Sequence, residues 1–445
     1  MSNNNGGRKP ANDSWPGLSR RGFLAASGAG AAASLLLPSG HVRAATTGET
    51  LKIGVMGPFT GPASRTGDSF KKGFAMALED AAKHDLTPVK IEGQPHDVEL
   101  VYIDSQSDPE KAVLAETDAI NRQGVKFLVG GWHSSVAMAV MDVEAPYKLV
   151  HIGHMGEAQT IDEKINKDPQ KYAGWFKGWP APPIFAGLYG PPLKYFLEQD
   201  LWQPANKKAA VLVEDTDYGR GWGDALHDSL QQAGFDVLPY DVTALDETEF
   251  TPLITKYKAQ RVSLVAMTST GSVSASNFVK QFRSQNLKAL LLGHGLTWFS
   301  EWYKLTGDAS DYTVTADSPR VIAPWQQAWV DRYKAKYDED PSIAACGHMY
   351  DYLLMGLTVL NKAGTLDFDK LVQTTVDTPY KGVWQYYQFA REKGPHAMAP
   401  HEIMTGDFMK GFFFPMVQLM NGNAPVIWPL EYAKQKFESP PWLSS

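Results

Sequence analysis

The sequence predicts a two-lobed α/β protein, each lobe a mostly parallel sheet flanked by helices. Three observations predict it. Strand-length apolar runs alternate with amphipathic stretches twice over, from residue 51 and again from residue 209, which is the rhythm of βα units. An irregular stretch rich in Pro, Gly and aromatic residues, 157–192, parts the two sets. At 445 residues and 43% hydrophobic content, the chain is long enough to fill two cores.

The first 44 residues are read as an address rather than a fold. Ser19-Arg20-Arg21-Gly22-Phe23-Leu24 leads into an Ala/Gly/Leu stretch ending at Leu37, and Val42-Arg43-Ala44 offers small residues for cleavage. This order of charged, apolar and cleavable segments resembles a twin-arginine export signal cut after Ala44. Cleavage would remove five basic residues and one acidic one, taking the formal charge from −7 to −11. Such a balance disfavours a nucleic-acid partner, since phosphate binding depends on clustered Lys and Arg. Beyond the N-terminus no uninterrupted apolar run of membrane-spanning length is read, so the exported chain is not expected to be membrane-embedded.

In the first set, strands are expected at Leu51–Met56, Val98–Asp104, Lys126–Gly130 and Leu149–Ile152. A helix over Ser69–Lys83 carries Phe70, Phe74, Ala77 and Leu78 on one face, and another fills Ser134–Tyr147. Asp108-Pro109-Glu110 has the chemistry of a helix start: an N-cap acceptor, proline in the first turn and an acid at the positive end. Residues 157–192 are expected to be a crossing region or lid. The second set places strands at Ala209–Glu214, Phe235–Asp241, Val262–Met267 and Ala289–Leu292, with helices at Gly221–Ala233, Phe250–Ala259 and Ser274–Gln285. The remainder, 311–436, with long helices at Pro324–Tyr337 and Ala344–Ala363, is too fragmentary for a third domain. It is expected to complete both lobes, so that the chain crosses between them more than once.

No catalytic or cofactor constellation assembles. Gly219-Arg220-Gly221-Trp222-Gly223 departs from the G-x-G-x-x-G spacing, and Gly271-Ser272-Val273-Ser274 departs from G-x-S-x-G. His151 and His154 lack a third metal ligand nearby, and His401-Glu402 lacks a second His. The single cysteine, Cys346, rules out a disulfide within one chain and reads as a small buried hydrophobe. The expectation is no cofactor, no metal and no enzyme.

Leu51-Lys52-Ile53-Gly54-Val55-Met56-Gly57-Pro58-Phe59-Thr60-Gly61-Pro62, with Gly67-Asp68 before a helix, resembles the opening of the leucine-type periplasmic solute-binding proteins. These form the type I periplasmic-binding-protein family that serves ABC importers. Gly130-Gly131-Trp132-His133-Ser134-Ser135 is similar to that family's ligand loop, Val150–Glu157 to its second one, and Asp215-Thr216-Asp217-Tyr218-Gly219 to its Tyr-Gly turn. Pro341-Ser342, Tyr350 and Gly406-Asp407…Lys410-Gly411-Phe412 also fit, so the likeness spans 50–425.

The resemblance implies a type I fold with several hinge crossings. Residues 50–178 plus 313–413 would form the N-terminal lobe, and 179–312 plus 414–436 the C-terminal lobe. It implies a monomeric periplasmic binder that captures a branched-chain or related amino acid, an amide, or an aromatic or aliphatic carboxylate, and hands it to an inner-membrane ABC permease. A ligand sensor docking on a membrane receptor and an exported enzyme on the same scaffold are the alternatives. Ligand contacts are expected at Thr66, Trp132, Ser134, Ser135, Met155, Gly156, Glu157, Tyr218, His294 and Trp298. Ser134 and Ser135, at a helix N-terminus, suit a carboxylate. The acid that usually meets the ligand ammonium is replaced around His294-Gly295, so either Glu157 or His294 substitutes for it or the ligand carries no ammonium group.

Overall fold

Leu51–Gly57 (β1) buries every side chain except that of half-buried Lys52, as a strand covered on both faces must. The computed structural model describes residues 49–299, 301–316 and 320–443. The export signal read over 1–44 lies outside the described residues. β1 lies inside a five-stranded sheet, one strand in from its edge, with Val98–Asp104 (β2), Phe127–Gly130 (β3), His151–His154 (β4) and Trp175–Lys177 (β5). The order is β2-β1-β3-β4-β5 and every pairing is parallel.

The helix after β1, Ser64–Lys83 (α1), starts five residues before the expected Ser69. Thr66-Gly67-Asp68 are weak helix formers that hide this turn from propensity. Gly67 holds it in place, because a Cβ there would run into the Pro58 carbonyl. Pro109–Asp118 (α2) begins as expected: the Asp108 carboxylate accepts from the N–H groups of Glu110 at 2.9 Å and Lys111 at 3.1 Å. Ser134–Glu144 (α3) and a short helix, Gln159–Lys167 (α4), follow β3 and β4.

The stretch 157–192, expected to be a crossing region or lid, is in part a core element. It contains α4 and the sheet's edge strand β5, and Trp175 and Trp179 are buried. The aromatic residues that looked loop-like fill core. β5 is fixed by a buried ion cluster in which Lys177 Nζ lies 2.5 Å from Asp162 and 3.1 Å from Glu402. Burial pushes the Asp162 carboxyl up to about 8, against the pull of the ammonium.

The second sheet has eight strands. Lys208–Glu214 (β6), Asp236–Val237 (β7), Asp241–Thr243 (β8), Leu264–Thr268 (β9), Leu290–His294 (β10) and Val314–Ala316 (β11) run parallel, while Met416–Gln418 (β12) and Val426–Trp428 (β13) close the edge antiparallel. The path is β8-β6-β9-β10-β11-β12-β13, with β7 also on β6. The helices between are Asp217–Gln232 (α5), Thr251–Gln260 (α6) and Ser272–Ser284 (α7). The return to the first lobe expected at 313 comes later, since Val314–Ala316 still pairs with β10. Pro324–Tyr337 (α8) leads to a π-turn at Ile343–Gly347 and then His348–Ala363 (α9), which packs on α1, β3 and β4. Ile343–Ala363 is long and apolar enough to cross a membrane, but 89% of that window is buried in the fold, as in a core helix. Cys346 is fully buried there.

Candidate functional site

Strand carboxyl ends from both sheets converge on one cavity of about 570 Å³, where ligands bind in open α/β sheets. The first sheet contributes Pro62, Ala63 and Thr66 after β1, Ser107 after β2, Trp132–Ser135 after β3, Met155 and Glu157 after β4, and Trp179 after β5. The second contributes Glu214 at the end of β6, Thr216, Asp217 and Tyr218 after it, Asp246 after β8, Thr270–Ser274 after β9, and Trp298 and Phe299 after β10.

One wall is the open start of α3. The residue before it, His133, is extended and makes no side-chain cap, so the first-turn N–H groups keep their capacity for an anion. Ser135 is exposed into the cavity. Ser134 is buried, and its Oγ accepts from the N–H groups of Glu157 and Ala158, both at 3.0 Å, tying α3 to the loop after β4. Its own hydroxyl proton is still available. His133 is kept neutral by burial, which lowers it to about 4. Among the described lining residues it is the sole histidine, and none is a cysteine.

The opposite chemistry comes from two buried carboxylates. Glu157 and Glu214 are 4% and 2% exposed, and both line the cavity. Glu214 Oε2 accepts from the Thr270 N–H at 2.5 Å, and its Oε1 from the Thr216 hydroxyl at 2.8 Å. Glu157 Oε2 accepts from the Trp222 indole N–H at 2.6 Å. Burial raises both carboxyls, Glu157 well above its ordinary range, and the Glu214 charge raises Glu157 further. Asp217, Asp246 and Glu301 add acid to the lining, against the mostly exposed Arg65.

Aromatic rings complete the surface. Trp298 meets Trp132 edge-to-face at 5.7 Å between centroids and Trp179 at 5.5 Å. The Tyr218 hydroxyl is 2.5 Å from Thr268 Oγ1. The cavity therefore offers an anion-seeking end, an acidic end and an aromatic side.

Eight of the ten residues expected to touch a ligand line this cavity: Thr66, Trp132, Ser134, Ser135, Met155, Glu157, Tyr218 and Trp298. Gly156 and His294 do not. A Cβ on Gly156 would point at Ile161, Ala137 and His154, into the core under α3. His294 sits behind Glu157, its Nε2 3.5 Å from Oε2, stacked on Trp222 at 3.8 Å and with Nδ1 3.0 Å from the Tyr189 hydroxyl. Burial holds it well below its ordinary pKa, so it carries no charge.

Several lining residues were missed. Glu214 is an acid at the end of an apolar strand, a position that βα logic marks as a site. Gly271–Ser274, which departs from a nucleophile motif, opens α7 onto the cavity. The glycines of Gly219–Gly223 lie inside α5. A Cβ on Gly219 would strike the Glu214 carbonyl, so glycine lets α5 start against the strand end.

A family model described as periplasmic binding protein matches residues 50–407. The chain is 26% identical over 338 residues to the leucine-, isoleucine-, valine-, threonine-, and alanine-binding protein of Pseudomonas aeruginosa, covering 74% of this chain and 84% of that one. It shares its fold with a leucine binding protein from Thermotoga maritima (TM-score 0.67, 18% identity, 85% of this chain and 97% of that one). It also shares it with an ABC transporter solute binding protein from R. palustris in complex with benzoate (TM-score 0.66, 18% identity, 85% and 95%).

Proposed function

The chain belongs to the periplasmic binding protein family, and we propose that it captures an amino acid with an apolar or aromatic side chain for an ABC importer. The observation that carries the ligand class is the pair Glu157 and Glu214, two buried acids facing one cavity from the two sheets. Buried carboxylates are costly without a cation, and a ligand ammonium supplies one. The ligand carboxylate then lies at the start of α3, with Ser134 and Ser135 as hydroxyl donors. The side chain lies along Trp132, Trp179 and Trp298.

Capture follows from differential contact. A zwitterion touching α3 on one side and Glu214 on the other stabilises the closed arrangement by the contacts that opening breaks. The two lobes would turn about the crossings near 178–207, 320–347 and 404–415. The export signal read over residues 1–44 would deliver the protein to the periplasm, where an inner-membrane permease is the partner. The Trp132–Trp298–Trp179 wall also suits an aromatic carboxylate, the class named for the R. palustris structure; the acidic lining argues against it.

A thermal-shift panel tests the proposal. Apolar and aromatic L-amino acids at a hundredfold their dissociation constant should stabilise by about 2.7 kcal/mol. Stabilisation by benzoate-type acids alone would favour the second reading.

A further inference from the structure

A second group of buried polar side chains lies away from the cavity, on the face of the first sheet that α2 and α3 cover. Glu116 of α2, Glu144 at the end of α3 and His151 of β4 are 0%, 4% and 0% exposed. One donor atom from each comes within 4.8 Å of the other two. The three belong to separate elements, so no spacing in the sequence announces them.

The imidazole is set as a metal ligand would be. His151 Nε2 lies 2.6 Å from the Gly130 carbonyl, which can only accept, so Nε2 carries the proton. Nδ1 then faces the carboxylates, 2.8 Å from Glu144 Oε1. A ring nitrogen fixed by a backbone carbonyl, with the other turned to anionic oxygens, is the outer-shell pattern of metal-binding histidine. Glu116 supplies the independent observation: both its carboxylate oxygens are buried, and among the described residues only the Glu144 carboxyl, itself a member of the cluster, reaches them, with no N–H or ammonium donor to satisfy either. His154 does not join the set, because its Nδ1 accepts the Gly156 N–H at 3.0 Å and its Nε2 therefore bears the hydrogen.

We propose that Glu116, Glu144 and His151 form a buried structural site for a divalent first-row transition ion of the zinc class. One imidazole and two carboxylates are donors such ions accept at about 2.0–2.2 Å. Calcium wants six to eight oxygens, and magnesium keeps several waters. A narrow crevice bounded by Met141, Glu144, Leu149 and Trp175 reaches the cluster's edge. The ion would tie α2 and α3 to β4, directly behind the Gly130–Ser134 loop that forms the α3 end of the cavity.

The test uses the tag-free exported protein, stripped with a chelator and then titrated with Zn²⁺ and, as a spectroscopic probe, Co²⁺. The expected result is one tightly bound equivalent, a rise in melting temperature of several degrees, and a visible Co²⁺ band. Glu116→Gln should weaken binding at least a hundredfold and abolish the band. The proposal is overturned if neither ion binds stoichiometrically to the wild-type chain, in which case the carboxyls share a proton instead. It is equally overturned if Glu116→Gln binds as the wild type does, which would place the ion elsewhere. Should that variant not fold, the Co²⁺ spectrum of the wild-type chain still decides. None of these readouts depends on which solute the cavity takes.

Discussion

The Trp222 indole N–H donates a 2.6 Å hydrogen bond to Glu157 Oε2, joining a helix on the second sheet to the loop after β4 on the first. Both groups are buried, with Trp222 fully so. The contact spans the halves that the proposed closure brings together, and it orients the acid proposed to meet the ligand ammonium. Trp222→Phe keeps the apolar bulk and removes the donor. It should cost about 1–3 kcal/mol, read by urea denaturation, and lower ligand affinity.

Glu157→Gln and Glu214→Gln should separate binding from stability. Burial disfavours the charge of either carboxyl in the empty cavity, so melting temperature should hold or rise. Affinity for an amino acid should fall by about a hundredfold, since a charged partner to a buried ammonium is lost. Calorimetric titration measures one effect and thermal melting the other.

The pH dependence has a fixed sign. Burial raises Glu157 and Glu214, so in the empty site protonation is favoured up to a pH above the ordinary carboxylate range. Near Glu157, His294 is neutral and Lys177 pulls its carboxyl down. An ammonium favours the ionised acids, so binding expels protons, and amino-acid affinity should rise as pH increases through the raised values. A ligand without an ammonium should show the opposite trend. Titration in buffers of different ionisation enthalpy counts the protons released.

The serines should differ from each other. Ser135 is exposed to the cavity, and its replacement by Ala should weaken carboxylate binding about tenfold with little change in stability. Ser134 also accepts from the N–H groups of Glu157 and Ala158, so Ser134→Ala should cost about 1–2 kcal/mol of stability in addition. Melting curves of the two empty variants show the difference.

Lys177→Met should be the most damaging of these changes. It leaves Asp162 and Glu402 buried without their ammonium, at about 3–5 kcal/mol. The Lys177→Met/Asp162→Asn/Glu402→Gln triple variant should regain part of that loss. Chemical denaturation of the pair checks both statements.

The βα rhythm was legible because buried parallel strands are continuous apolar runs, and the N-cap at Asp108 because its chemistry is local. The edge strand Trp175–Lys177 was not, since three residues among prolines and glycines carry no period. Its place depends on an ion cluster with a residue 225 positions away. At the site, the loops after β3 and β4 were readable from motif likeness. The true place of His294 was not, because a strand end gives no sign of whether its side chain faces the cavity or packs behind an acid. Glu116, Glu144 and His151 illustrate the same limit, meeting only once two helices dock on a sheet.

The central claim, an ammonium held between acids from the two sheets, is tested most directly by a matched pair of ligands. Leucine and 4-methylpentanoate differ only in the amino group, as do phenylalanine and 3-phenylpropanoate. Calorimetric titration should give at least hundredfold tighter binding for the amino acid of the pair that fits, with the preference collapsing in Glu157→Gln. Equal or tighter binding of the deaminated acids to the wild-type protein would contradict the account.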